Sequence, residues 1–130
     1  MRLLLDTHAW SWAHGQPDRP PAAARAAIRS PDTLLYLSPI SIYEALLLAE
    51  RGRITLDRPS AEWLVAALSA LPLEIVDVSV NSAVMARTLE GYVNPDPFDR
   101  FLLATAVVAD LSIATKHERM RMWGRVPVIW

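Results

Sequence analysis

The chain contains no cysteine, which excludes disulfides, thiolate metal sites and cysteine nucleophiles and fits a reducing compartment. It has almost no lysine. Lys116 is the only one, and the remaining positive charges are arginines, whose planar forks pair bidentately with phosphate. It has no surplus of either charge: the formal net charge is -1, which argues against a globally attractive field for nucleic acid. Local basic patches remain compatible with that balance, because carboxylates elsewhere offset them. It also lacks a long apolar leader. Leu3-Leu4-Leu5 stops at Asp6, too short for a signal peptide or a membrane span, so the cytoplasm is the expected location.

What the chain does have is apolar residues, 52% of its 130 positions, enough for a dense core and for an apolar partner surface besides. Strand-like stretches are expected at Arg2–Leu5, Leu34–Leu37, Glu74–Val78, Ser112–Ala114 and Val126–Ile129. Helical patterns lie between them, at His8–His14, Ala22–Arg29, Ser41–Arg51, Pro59–Leu71, Ser79–Glu90, Pro97–Ala109 and His117–Trp123. No repeat, linker or low-complexity tail interrupts the alternation. The expectation is a single α/β domain spanning 1–130, a mostly parallel sheet covered on both faces, with ligands at the carboxyl ends of its strands.

Four acids fall where an apolar stretch meets a helix: Asp6, Glu44, Asp96 and Asp99. Burying a carboxylate is expensive unless something pairs with it, so these positions ask for an explanation. Asp6 directly follows the first strand and serves either as a helix N-cap or as a site residue. Glu44 closes Ser41-Ile42-Tyr43-Glu44, a Ser-x-x-Glu capping box, yet the box follows a strand end. Asp96 precedes Pro97 as an N-cap would, and Asp99 follows in the same first turn. Two acids that close repel unless a cation lies between them. Oxygen donors without cysteine suit Mg²⁺ or Mn²⁺, which promote phosphodiester hydrolysis.

The words around these acids resemble the PIN-domain family, in particular the VapC-type toxins of bacterial toxin–antitoxin systems. The resemblance rests on Leu3-Leu4-Leu5-Asp6-Thr7-His8-Ala9-Trp10, on Ser38-Pro39-Ile40-Ser41-Ile42-Tyr43-Glu44, and on Asp96-Pro97-Phe98-Asp99-Arg100 continuing to Leu103-Ala104-Thr105-Ala106. Ile113-Ala114-Thr115 and the ending Trp123-Gly124 through Pro127-Val128-Ile129 extend it over essentially the whole chain. It implies a three-layer α/β/α sandwich and a metal-dependent endoribonuclease. By motif position Asp6, Glu44 and Asp99 match the family's acidic cluster and Asp96 the extra acid of this subgroup. Asp6 and Asp99 would hold Mg²⁺ or Mn²⁺ directly, with Glu44 and Asp96 acting through water. Thr7 and Thr105 occupy hydroxylated positions beside the cluster, or else serve core packing and helix back-bonding.

One departure stands out. Many members carry an aspartate two residues after the threonine matching Thr115, and here that position is His117, followed by Glu118. One residue along a helix turns a side chain by about 100°, so Glu118 is no automatic substitute. His117 has three readings: an Mn²⁺ ligand, a phosphate donor or an exposed ring. Arg100, Lys116 and Arg119 are the candidate phosphate contacts to RNA. The resemblance further implies a small antitoxin laying an apolar helix into a groove, and a homodimer. Trp10, Trp12, Tyr43 and Trp63 either line that groove or pack the core. Two other readings stand beside the nuclease. One is a catalytically silent PIN-like binding module. The other is a receiver-like phosphoacceptor domain, against which stands the absence of an acidic pair after the first strand.

Overall fold

A computed structural model of the chain, describing residues 1–130, forms one five-stranded, all-parallel sheet in the order β3-β2-β1-β4-β5. The strands are β1 (Arg2–Leu5), β2 (Leu34–Leu37), β3 (Leu73–Ile75), β4 (Ser112–Ala114) and β5 (Val128–Ile129). Central β1 is paired along both edges, by β2 and β4, and helices cover both its faces. That is why its apolar run is continuous rather than alternating.

Successive side chains of β1 still part to opposite sides. Leu3 and Leu5 pack with α1 (Thr7–Gly15), α2 (Ala22–Arg29), α3 (Pro39–Glu50) and α4 (Ser60–Ser69), through Ala9, Trp10, Ile28, Ala45, Trp63 and Ala67. Leu4 points the other way, into a layer of α5 (Val80–Arg87), α6 (Pro97–Val108) and α7 (Glu118–Trp123). The architecture is thus the expected three-layer α/β/α sandwich. No helix is long and apolar enough to cross a membrane.

The chain adds β2 and β3 on one side of β1, then returns to build β4 and β5 on the other. The gap between β1 and β4 is therefore the topological switch point, where parallel sheets place ligands. Leu5 pairs in register with Leu37 on one side and with Ala114 on the other. The next residues, Asp6, Ser38 and Thr115, consequently stand level on one rim, and the Asp6 amide donates to the Ala114 carbonyl at 3.0 Å.

The edge strands are shorter or displaced relative to expectation. β3 has only four-residue β2 to pair with, and its ladder closes with the Val76 amide on the Leu37 carbonyl. β5 is confined to two residues opposite Ile113 and Ala114, because Pro127 has no N–H to extend the pairing. The α5 helix stops at Arg87, three residues before the expected end.

The start of α3 corrects the capping-box reading. Ser38, not Ser41, is the N-cap, its hydroxyl accepting from the Ile40 amide at 3.3 Å, with Pro39 as the first helical residue. Ser41 lies inside the helix with its hydroxyl buried and unpartnered, and Glu44 stands one turn further on. In urea denaturation Ser38→Ala is expected to cost about 1 kcal/mol, a typical loss for a serine cap. Ser41→Ala should change stability by less than about 0.5 kcal/mol, because no hydrogen bond is lost. The reverse order of effects would restore the cap to Ser41.

Candidate active site

Strand register and helix starts bring the four acids to the switch point with different surroundings. Asp6 and Asp99 are 2% and 3% exposed, Glu44 is buried at 9%, and Asp96 is half-buried. Asp6 is the helix N-cap that one of its two readings expects. Its Oδ1 caps α1 by accepting from the Ala9 amide at 2.6 Å, while Oδ2 is buried without a partner. The Thr115 hydroxyl lies near but is turned toward Met120 Sδ at 3.7 Å. Burial pushes the Asp6 carboxyl upward, against the nearby Thr115 hydroxyl, the Ala9 amide and the His117 ring, and the Asp99 charge adds to the rise.

Asp99 sits in the first turn of α6, and its Oδ2 is crowded with donors. Asn94 Nδ2 reaches it at 3.0 Å, the Tyr92 hydroxyl at 3.3 Å and His117 Nδ1 at 3.3 Å. The phenol is pushed up to about 12, first by burial and then by the Asp99 charge, so it stays a donor. Glu44 is raised by burial, against the Thr7 hydroxyl, and further by the charges of Asp96 and Asp99. Asp96 caps α6 through Oδ1 on the Phe98 amide at 2.9 Å.

His117 is half-buried, which overturns the exposed-ring reading among its three. Thr115 Oγ1 accepts from the His117 amide at 3.0 Å, a local turn that carries the imidazole onto Asp99. Its pKa is raised chiefly by that Asp99 contact, with Asp6 and Glu44 assisting and burial opposing. Where an acid was expected, the chain has placed a cation-forming partner for an acid.

The candidate phosphate contacts diverge. Arg100 is corrected from a free guanidinium to an internal clamp, donating to the carbonyls of Ala86 (2.7 Å), Tyr92 (3.0 Å) and Asn94 (3.0 Å). Arg119 is exposed, with no hydrogen bond or ion pair, and exposed Lys116 has its Nζ 5.3 Å from the centre of the Trp12 ring. Of the candidate groove aromatics, Trp10 and Trp63 pack edge-to-face in the core at 5.4 Å, Trp12 is half-buried, and Tyr43 is exposed against Phe98. Tyr92, Asn94, Ser41 and His8 escaped sequence reasoning as site residues. Only the Gly91–Pro95 loop composition and the Asp6-Thr7-His8 word hinted at three of them.

Fit to a divalent cation can be judged from unmet valences. The buried side-chain polar atoms without a partner are Asp6 Oδ2, Thr7 Oγ1, His8 Nδ1, Ser41 Oγ and Thr105 Oγ1. Three of these residues are consecutive at the head of α1, and Ser41 lies on the Glu44 face of α3. Buried orphans are rare enough that a cluster needs a reason. No group of three or more acidic or histidine side chains is arranged to hold a metal ion. The unmet Asp6 oxygen beside Asp99 offers at most one or two carboxylates, a number compatible with Mg²⁺ or Mn²⁺, since magnesium keeps several waters.

Comparison with known proteins supplies independent bearings. The PIN domain model matches residues 3–124. Ribonuclease VapC22 of Mycobacterium tuberculosis is 34% identical over 119 residues, covering 92% of this chain and 89% of that protein. The crystal structure of VapBC2 from Rickettsia felis, bound to a DNA fragment from the promoter, superposes with a TM-score of 0.69 at 17% identity. It covers 98% of this chain and 97% of its own. The Mycobacterium tuberculosis VapC20 structure, a Sarcin-Ricin loop cleaving toxin, also reaches a TM-score of 0.69, at 16% identity, over 98% and 99% of the two chains.

The titrating groups give the metal-free protein a defined pH response. His117, raised above 6.5 when folded, contributes stability that is present below 6.5 and lost as pH rises through its folded value. Asp6 and Glu44, raised above 3.8 and 4.5, act in the same sense. His8 acts oppositely: burial, then Lys116, His117 and Arg19, lower it to about 4, so it weakens the fold only below 6.5. Calorimetry in EDTA should therefore show Tm falling as pH rises above 6.5. His117→Asn should flatten that descent, and an undiminished descent would contradict the Asp99 pairing.

Proposed function

The chain belongs to the PIN-domain family, and on that premise we propose that it is a Mg²⁺- or Mn²⁺-dependent endoribonuclease, the toxin of a type II toxin–antitoxin pair. The observation that carries the reading is the burial of Asp6 and Asp99 at the switch point, Asp6 with an oxygen left free. The name of the 34% identical relative, a VapC ribonuclease, supports the choice of substrate.

Asp6 Oδ2 and the Asp99 carboxylate would hold the ion, and Glu44 and Asp96 would orient its waters. When bound, such an ion supplies Lewis-acid stabilisation of the phosphoryl oxygens and an activated water. The protein's part is positional. Asp6 is fixed by capping α1, and Asp99 is fixed by Tyr92, Asn94 and His117, so neither carboxylate must reorganise as charge develops. Glu44, raised by burial and neighbouring acids, would take a proton from the attacking water. In-line attack on phosphorus would expel the ribose 3′-oxygen, which leaves with a proton from solvent. Thr7 and Thr105 offer hydroxyls beside the acids, and Lys116 and Arg119 offer charge to flanking phosphates.

The partner proposed is a small antitoxin that docks an apolar helix beside the acidic rim, in keeping with the VapBC complex among the structural relatives. A homodimer is proposed as well, with Val80 and Val84, one turn apart and exposed on α5, as its apolar face. Cytoplasmic residence belongs to the same proposal, because cellular RNA is the proposed substrate.

The test is incubation of the purified, partner-free protein with total RNA plus Mn²⁺ or Mg²⁺, with the cut ends mapped. Cleavage should vanish in EDTA. Loss of an outer-sphere partner costs about 10–100-fold, so Asp6→Asn and Asp99→Asn, which remove direct ligands, should each lower the rate at least about 100-fold. Unchanged cleavage in both variants would contradict the proposal. RNA bound but never cut would assign the silent binding-module reading, for which His117 is the observation in favour.

A further inference from the structure

Beside the acidic rim lies an open cleft of about 380 Å³, bounded by the end of α1 and its following turn, the α3–α4 loop and the residue before His117. Its chemistry is the inverse of the acid pocket. Arg19, Arg53 and Lys116 line it, against a single acid, Asp57, which Arg58 already engages through two contacts of 3.1 Å. A chain of net charge -1 has thus gathered three cations, including its only lysine, around one concavity.

Two of those cations are held in place. The Trp12 indole carries the Arg19 guanidinium 4.1 Å from its ring centre and Lys116 Nζ at 5.3 Å, and His8 abuts the same ring edge-on at 5.7 Å. Arg53 is exposed and free of any ion pair. His8, which lines the cleft, lies 5.7 Å from the His117 ring that touches Asp99, so two imidazoles stand between the cleft and that acid. Lys116 precedes His117 in the chain, so one turn serves both places.

We infer that this cleft seats the unpaired nucleotide next to the scissile phosphate, with Arg19, Arg53 and Lys116 on the RNA backbone. The inference rests on the ribonuclease reading and adds to it the path of the strand. Its volume falls at the low end of small-ligand sites of roughly 300–1,000 Å³, room for one nucleotide and too little for a duplex. Backbone phosphate contacts fix register without reading sequence, which is what a strand crossing from cations to catalytic acids requires.

The experiment is fluorescence anisotropy of a 5′-labelled single-stranded ten-nucleotide oligoribonucleotide, titrated in EDTA over a series of salt concentrations. Each phosphate neutralised on a single strand contributes about 0.7 to the slope of log affinity against log salt. Arg19→Ala and Arg53→Ala should each make the slope shallower by about 0.7 and weaken binding about fivefold. Arg87→Ala, which removes an equal charge from exposed α5, should leave the slope as it was. Slopes for the cleft variants equal to that of Arg87→Ala would overturn the inference. If the parent protein still cuts the same oligonucleotide with Mn²⁺, the ribonuclease reading survives that failure; if it neither binds nor cuts, both fall. Unaltered RNA binding combined with polyglutamate binding that Arg53→Ala weakens would hand the cleft to an acidic polypeptide instead.

Discussion

Taking a carboxylate out of water costs several kcal/mol unless a counter-charge or a full set of donors replaces the lost hydration. The chain accepts that cost twice on one rim, at Asp6 and Asp99, with Glu44 close behind. Much of the architecture can be understood as holding these groups against their tendency to escape. The in-step registers of β1, β2 and β4 bring Asp6, Ser38 and Thr115 level. The α1 helix is capped by Asp6 itself, so that carboxylate cannot swing to solvent without uncapping the helix.

Asp99 is held by a second device, one that begins with its neighbour in sequence. Arg100 turns its guanidinium onto the carbonyls of Ala86, Tyr92 and Asn94, which folds the stretch after α5 back against α6. That fold delivers the Tyr92 hydroxyl and the Asn94 amide to Asp99 Oδ2. The arginine acts on the site through the loop it holds. His117, delivered by its own amide's bond to Thr115, completes the surround from the end of β4. The acids are rigid as a result, and rigidity with unmet valence is what preorganised stabilisation of developing charge requires.

The parts of this arrangement that depend on local pattern were legible in the residues. Leu3-Leu4-Leu5 followed by Asp6 announces a buried central strand with an acid at its end, and α2 and the start of α6 fall where alanine content and Asp96-Pro97 put them. Ser41 misled, because the spacing to Glu44 satisfies a capping box equally well whether or not Ser38 and Pro39 have already begun the helix. The edge strands were misjudged because pairing partners, not residue preference, decide where an edge strand ends. Arg100, Tyr92 and Asn94 were beyond reach of pattern: their roles arise only when a loop folds back onto a helix. So was the clustering of Arg19, Arg53 and Lys116, which come from three separate segments.

The central claim is that Asp6 is buried with a free oxygen in order to hold a divalent cation. Asparagine caps a helix as well as aspartate does. The Asp6→Asn variant therefore keeps the bond to the Ala9 amide while losing only the charge. Calorimetric titration of Mn²⁺ into the protein and into Asp6→Asn, with Tm recorded for both in EDTA, separates the two duties of this residue. The account predicts at least about tenfold weaker Mn²⁺ binding by the variant, with a metal-free Tm no lower than that of the parent. Equal Mn²⁺ binding by the two, or a metal-free Tm that falls with the substitution, would contradict it.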